Sequence, residues 1–224
     1  MAGLGVILGS NAIAPGGEQI VAAAERGGAL VLPRHGAAGA YRLPHRIDHE
    51  ANLRWLAERG CDRVLAVCSV GSLDAEAIPV GSIVCPHDFI ALQLTVTSFD
   101  DARAHAMPGF DRGWRGEVVA AWGRAGATEL RDGGVYWQTN GPRFETEAEI
   151  GMIAPHADLV GMTLAAECIL AGELGLRYAA ICVVDNLANG IAPEPLSPEE
   201  LQRDRAANVA RLRDALAALV PGLA

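Results

Sequence analysis

Short, continuous apolar runs alternate with segments of helical period along the whole chain. The runs Leu4–Leu8, Ala29–Leu32, Val64–Cys68, Ser82–Cys85, Val135–Thr139, Asp158–Gly161 and Ala179–Val184 predict strands. Between them, apolar residues at helical spacing predict helices over His49–Arg59, Trp114–Arg124, Thr146–Ile153, Ala165–Leu174 and Pro198–Leu219. Apolar strands without polar alternation need cover on both faces, so the pattern predicts an α/β protein with a central sheet between two helical layers. The last helix opens at "SPEE", where Ser197 is the expected N-cap, Pro198 takes the first helical position and Glu200 completes a capping box. From Ala91 to Gly113 there are turn residues and no period, which predicts a long loop. No internal repeat or low-complexity linker breaks the chain, and 1–224 reads as one domain.

Composition narrows the function classes. The chain has 224 residues, of which 50% are hydrophobic, enough to bury a sizeable core. Its net charge of −9 argues against a nucleic-acid partner, because neutralising phosphates along a strand needs clustered Lys and Arg. A small anion stays possible, since one Arg and a few backbone N–H groups suffice to hold it. The five cysteines are dispersed, odd in number and never in CxxC spacing, as expected of reduced thiols in a cytoplasmic protein rather than a disulfide framework or a zinc site. The start "MAGLGVILGS" lacks a basic n-region, and no apolar run reaches membrane-spanning length. No membrane partner is expected.

In open α/β sheets, ligands collect at the C-terminal ends of strands. The residues following the expected strands are Gly9-Ser10, Arg34-His35, Cys68-Ser69 before Gly71-Ser72, Asn140 to Glu145, Met162-Thr163 and Asp185-Asn186. Small-residue turns with hydroxyls and an Arg fork make an oxyanion site. Each Gly-Ser turn taken alone is also explained by conformational need. No GxGxxG, P-loop, HExxH or GxSxG stands in a fitting context.

The segments "VLPRHG", "DHEANLRWLAERGCDRVLAVCSVGSL", "VGSIVCPHDFI", "NGPRFETEAEI" and "ADLVGMTLAAECILAGELGLRYAAICVVDN" resemble, in order and spacing, those of the trimeric nucleoside phosphorylases, the group of purine nucleoside, methylthioadenosine and methylthioinosine phosphorylases. The resemblance covers roughly Val31 to Asn186. It implies a single-domain, three-layer α/β/α fold with a central mixed sheet, a homotrimer, inorganic phosphate as co-substrate, and no metal or organic cofactor. It further implies phosphate held by Ser10, Arg34, His35, the backbone at Ser69 and the hydroxyl of Thr163. Phe144 would pack on the purine and Met162 under the ribose. The alternative for His35 is a buried, neutral packing residue.

By the same resemblance Asn186 takes the place of the residue that reads purine N7 and O6. A carboxylate there goes with 6-aminopurines; an amide, which donates and accepts, suits a 6-oxopurine. Glu145 points the same way, because as an acceptor it takes the N1–H that hypoxanthine and guanine have and adenine lacks. Asp185 stays open at this level: it either orients Asn186 or itself reaches the base. The 5′ end of the sugar meets a histidine in the inosine-cleaving members, whereas this chain has Pro198 or a neighbour there, beside Leu196 and Leu201, and no histidine beyond His156. An apolar lining favours 5′-methylthioinosine, with inosine or guanosine next and methylthioadenosine after them.

The chain departs from the family pattern in a shortened stretch from Asn11 to Leu30, in His49 where an aromatic is common, and in Cys68 where Thr or Asn is usual. His105 and Met107, in the irregular central segment, are candidates for the residue that each subunit lends to its neighbour's sugar pocket. Two rival classes share these features: a nucleosidase that uses water in place of phosphate, and a non-catalytic purine-binding protein.

Overall fold

The computed structural model describes residues 3–36, 40–126, 128–192 and 198–224, with side chains left aside for 198–207. The expected Ser197 cap, its Glu200 partner and the side chains of Leu196, Pro198 and Leu201 fall outside the described residues.

One nine-stranded sheet organises the chain. Its centre is β3 (Cys61–Ser72), flanked along its length by the parallel strand β9 (Arg177–Leu187). The other edge of β3 is divided. Cys61 to Val67 pair with the parallel strand β1 (Gly3–Leu8), which continues to β2 (Leu30–Pro33). Gly71 and Ser72 pair instead with the antiparallel β8 (Leu159–Gly161). Beyond β8 lie β7 (Val135–Gln138) and β5 (Asp88–Ile90); beyond β9 lie β4 (Ile83–Cys85) and β6 (Leu130–Asp132). The sheet is therefore mixed, and it splits where β1 and β8 part along β3.

Period-two alternation on the central strands sends side chains to two cores. Leu65, Val67, Ile181 and Val183 pack against α1 (Glu18–Arg26), α3 (Arg112–Ala125) and α6 (Pro198–Leu219). Ala66, Cys68, Cys182 and Val184 face α2 (His49–Glu58) and α5 (Leu164–Glu173). These are the two helical layers the apolar strands require. A short α4 (Glu147–Ile153) starts at Thr146, whose hydroxyl accepts from the Glu149 N–H while the Glu149 carboxylate accepts from the Thr146 N–H. The segment from 91 to 109 is irregular apart from a 3-10 turn at Ala102–His105.

The fold adds one helix and two strands to those expected, and two strands run longer. Helix α1 falls in the stretch expected to be short, because its buried face is only Ile20, Ala23 and Ala24. The strands β5 and β6 are three residues each and carry no period to read. Both β3 and β9 run past their expected ends, so Ser69, Gly71, Asp185 and Asn186 are strand residues rather than turn residues.

Candidate active site

The split in the sheet is the floor of a cavity of about 450 Å³. The amide and carbonyl of one strand residue lie on the same edge, and this edge alternates from residue to residue. The Val67 carbonyl accepts from the Gly9 N–H on the β1 side, and Gly71 pairs with Val160 of β8 on that same side. Ser69, midway between them, therefore turns its backbone toward the gap between β1 and β8, and it lines the cavity.

Around that gap stand Ser10 at the start of a 3-10 turn, Arg34 and His35 after β2, and Thr163 at the head of α5. Arg34 is 1% exposed and is turned into the wall. Its Nη1 donates to Thr163 Oγ1 at 2.5 Å and to Cys68 Sγ at 2.9 Å; its Nη2 donates to the carbonyls of Val67 at 3.2 Å and Ile7 at 3.5 Å. The planar fork expected for an oxyanion is thus already occupied by protein atoms. Because Arg34 donates to the Thr163 oxygen, the Thr163 hydroxyl proton is left for another acceptor: Cys68 Sγ lies at 3.9 Å, and Thr163 also lines the cavity.

Behind Arg34 lies an ionic pocket built on Glu167. Glu167, fully buried on α5, brings Oε1 to 3.3 Å from Arg34 Nε and 3.4 Å from His49 Nδ1, while its Oε2 accepts from the Tyr178 hydroxyl at 2.6 Å. Burial alone would push the Glu167 carboxyl up, but the Arg34 charge, with His49 and the Tyr178 hydroxyl, outweighs burial and holds it below its ordinary value. Arg34 is raised: burial opposes its charge, and Cys68, Glu167 and Tyr178 together more than compensate. Burial pushes the Cys68 thiol up to about 11.

The N-terminus of α5 is closed by side chains rather than open to a ligand. The Tyr136 hydroxyl accepts from the N–H groups of Thr163 and Leu164, and Gln138 Oε1 from those of Ala165 and Ala166 at 2.7 and 3.1 Å. Thr163 consequently offers the cavity its hydroxyl and not its amide. His35 Nδ1 sits 2.8 Å from the Arg42 carbonyl, which can only accept, so Nδ1 carries the proton. Tyr41 stacks on the His35 ring at 5.1 Å and joins the cavity wall, a contact with no sequence signal beyond an aromatic near the Arg-His pair.

The other end of the cavity holds Phe144, Glu145, Met162, Asn186 and Asn189. Phe144 is 52% exposed, with a ring available to stack on a planar ligand. Glu145 is buried, and its Oε1 accepts from the Thr139 hydroxyl at 2.5 Å. Asn186 donates one N–H to the Leu187 carbonyl at 2.8 Å, which pins its amide plane.

Asp185 is not in the cavity wall, and its placement separates the two neighbours. Val184 pairs with Val70 and Asn186 with Gly71, so Asp185 is the extra residue of a bulge in β9. Its carboxylate is turned away from the cavity toward α6, where it accepts from the Ser69 hydroxyl and, at 2.6 Å, from Asn208 Nδ2. The expectation that Asp185 reaches a base does not fit this geometry; Asn186 alone of the pair faces the cavity. His105 lies on the exposed 102–105 turn and does not line this cavity, and the Pro198 side chain is outside the described residues.

Comparison with known proteins agrees with this architecture. A family model described as "Phosphorylase superfamily" matches residues 11–221. A probable 6-oxopurine nucleoside phosphorylase of Archaeoglobus fulgidus is 41% identical over 171 residues, 76% of this chain and 70% of that protein. A probable S-methyl-5′-thioinosine phosphorylase of Methanothermobacter thermautotrophicus is 37% identical over 175 residues, 76% of this chain and 60% of that protein. Among solved structures, a methylthioadenosine phosphorylase of Schistosoma mansoni in complex with adenine superposes with a TM-score of 0.79 at 22% identity, over 98% of this chain and 91% of that one, which speaks to the fold. With the family model spanning nearly the whole chain and relatives well above 30% identity, this chain belongs to the phosphorylase superfamily.

Proposed function

We propose that this chain catalyses phosphorolysis of the N-glycosidic bond of a 6-oxopurine nucleoside, with 5′-methylthioinosine as its substrate and hypoxanthine and 5-methylthioribose 1-phosphate as products. The observation that carries the reading is the pairing of an amide, Asn186, with a buried carboxylate, Glu145, at one end of the cavity, while Asp185 faces away from it. The names of the relatives above, 6-oxopurine nucleoside and methylthioinosine phosphorylases, support the same substrate class.

In this reading phosphate lies over Ser69, receiving hydrogen bonds from its backbone and from the hydroxyls of Ser10 and Thr163. His35 borders it, and Arg34 supplies positive charge from behind Thr163. The purine stacks on Phe144, with the ribose against Met162. Bond cleavage passes through an oxocarbenium-like sugar, and negative charge gathers on the departing base. The Asn186 N–H that is not held by the Leu187 carbonyl donates to O6 or N7, and Glu145 accepts N1–H and so selects a 6-oxopurine. The donated Asn186 hydrogen bond strengthens as negative charge develops on the base, so it acts on the transition state. The reaction needs phosphate as co-substrate and no metal or organic cofactor.

The preference for a methylthio group rests on the absence of any histidine beyond His156 to meet a 5′-hydroxyl; inosine and guanosine are the next candidates. The active form is a homotrimer acting in the cytoplasm, with His105 of one subunit reaching the sugar pocket of the next. The exposure of His105 and of Met107, 92% accessible beside it, supports this arrangement.

The direct test of the base assignment is Asn186→Asp. Activity on methylthioadenosine relative to methylthioinosine rises in that variant; an unchanged ratio would mean that Asn186 does not read the base.

A further inference from the structure

The carboxylate that the base pocket does not use has a defined place. Alternation along β9 puts Asp185 on the face of Ile181 and Val183, the α6 side of the sheet, where alternation on β3 also puts the Ser69 side chain. Asp185 is 0% exposed. One of its oxygens accepts from the Ser69 hydroxyl, and the other from Asn208 Nδ2 at 2.6 Å. A carboxylate only accepts, so the Ser69 O–H and the Asn208 N–H must both point at it. The Ser69 hydroxyl is thereby held out of the cavity, while the Ser69 backbone stays toward the gap between β1 and β8.

We propose that Asp185 is a positioning residue for phosphate: through the Ser69 hydroxyl it fixes the peptide plane that faces the anion, and through Asn208 it ties that segment of β3 to helix α6. The proposal rests on the phosphorolysis reading, because it assigns the anion at Ser69 to the co-substrate. It differs from a role in base recognition, since Asn186 lines the cavity and Asp185 does not. It differs also from a purely electrostatic role. A negative charge behind an anion site weakens anion binding, so neutralising it without any change of geometry would tighten phosphate. Loss of alignment does the opposite.

The experiment compares wild type with Asp185→Asn, Ser69→Ala and the double variant, titrating phosphate at saturating nucleoside and the reverse, with phosphate binding to the free protein measured by calorimetry. The expected result is a phosphate KM and Kd raised about tenfold in each single variant, the consequence of losing one hydrogen bond's worth of alignment. The double variant is no worse than Asp185→Asn alone, because the Ser69 contact that Ser69→Ala removes is one that Asp185→Asn already disturbs. The nucleoside KM and the ratio of 6-oxo to 6-amino activity stay as in wild type. Phosphate binding that is unchanged or tighter in Asp185→Asn overturns the proposal, as does a shifted base preference or full additivity. Should Asp185→Asn fail to fold, Ser69→Ala removes a single hydroxyl and carries the same test. Wild-type protein that neither binds nor uses phosphate overturns the phosphorolysis reading and this proposal with it. Variants that bind phosphate as wild type does overturn this proposal alone.

Discussion

Gly71 faces Asn186 across β3 and β9, and a Cβ added at Gly71 would stand 3.3 Å from Asn186 Nδ2 and 3.1 Å from Val160 Cγ1. The base-reading amide is therefore seated against bare backbone. Its own N–H to the Leu187 carbonyl fixes the plane from the other side.

Gly71→Ala moves the amide by a few tenths of an ångström without removing it. The expected outcome is a fall in kcat/KM for the nucleoside of roughly tenfold, with the phosphate KM unchanged. Steady-state kinetics with each substrate varied in turn checks this, and equal loss on both substrates would point to general disruption of the site.

Glu167→Gln removes the counter-charge of Arg34. Breaking one side of a buried ion pair costs about 3–5 kcal/mol, read as a lowered denaturation midpoint. Because Arg34 holds the Thr163 hydroxyl, the phosphate KM rises with it. The pH dependence has a definite sign. In the folded protein Glu167 titrates below its ordinary value of 4.5. Its contribution is therefore complete above that pH and is lost as pH falls through the folded value. Wild type loses midpoint on acidification below about 4.5; Glu167→Gln loses less over the same window.

Gln138→Leu leaves the N–H groups of Ala165 and Ala166 without their acceptor at the buried start of α5. The expected cost is about 1–3 kcal/mol, measured by denaturant unfolding. A change smaller than a few tenths of a kcal/mol would mean that other acceptors take over this helix end.

The thiols are expected to be inert while the chain is folded. Burial pushes Cys68 and Cys85 up to about 11 and Cys168 up to about 12, and all five cysteines are buried and free. At pH 8 the thiolate fraction at Cys68 is on the order of one in a thousand. A thiol reagent titrates essentially none in native protein and all five in denaturant. Rapid native reaction at Cys68 would show that the cavity wall opens.

Much of this was legible in the chain because the central strands are apolar without alternation, which forces helices onto both faces. The Arg-His pair, Glu145, Thr163 and Asn186 were found because they follow or end such strands. Helix α1 was missed because Ala23 and Ala24 give a weak apolar face, and β5 and β6 because three residues have no period. The division of labour between Asp185 and Asn186 was not legible, since it depends on a bulge created by pairing with β3, a strand more than a hundred residues earlier in the chain. Glu167 had a signal that went unread: an acid inside the apolar run "LAAECILAG" asks for a buried partner, and Arg34 answers it.

The measurement that tests the account most directly is release of hypoxanthine from 5′-methylthioinosine with and without phosphate, with methylthioadenosine run beside it. The account predicts release only when phosphate is present, and faster from methylthioinosine than from methylthioadenosine. Release without phosphate, or a preference for methylthioadenosine, would contradict it: the first would make the cavity a hydrolase site, and the second would take the base-reading role from Asn186 and Glu145.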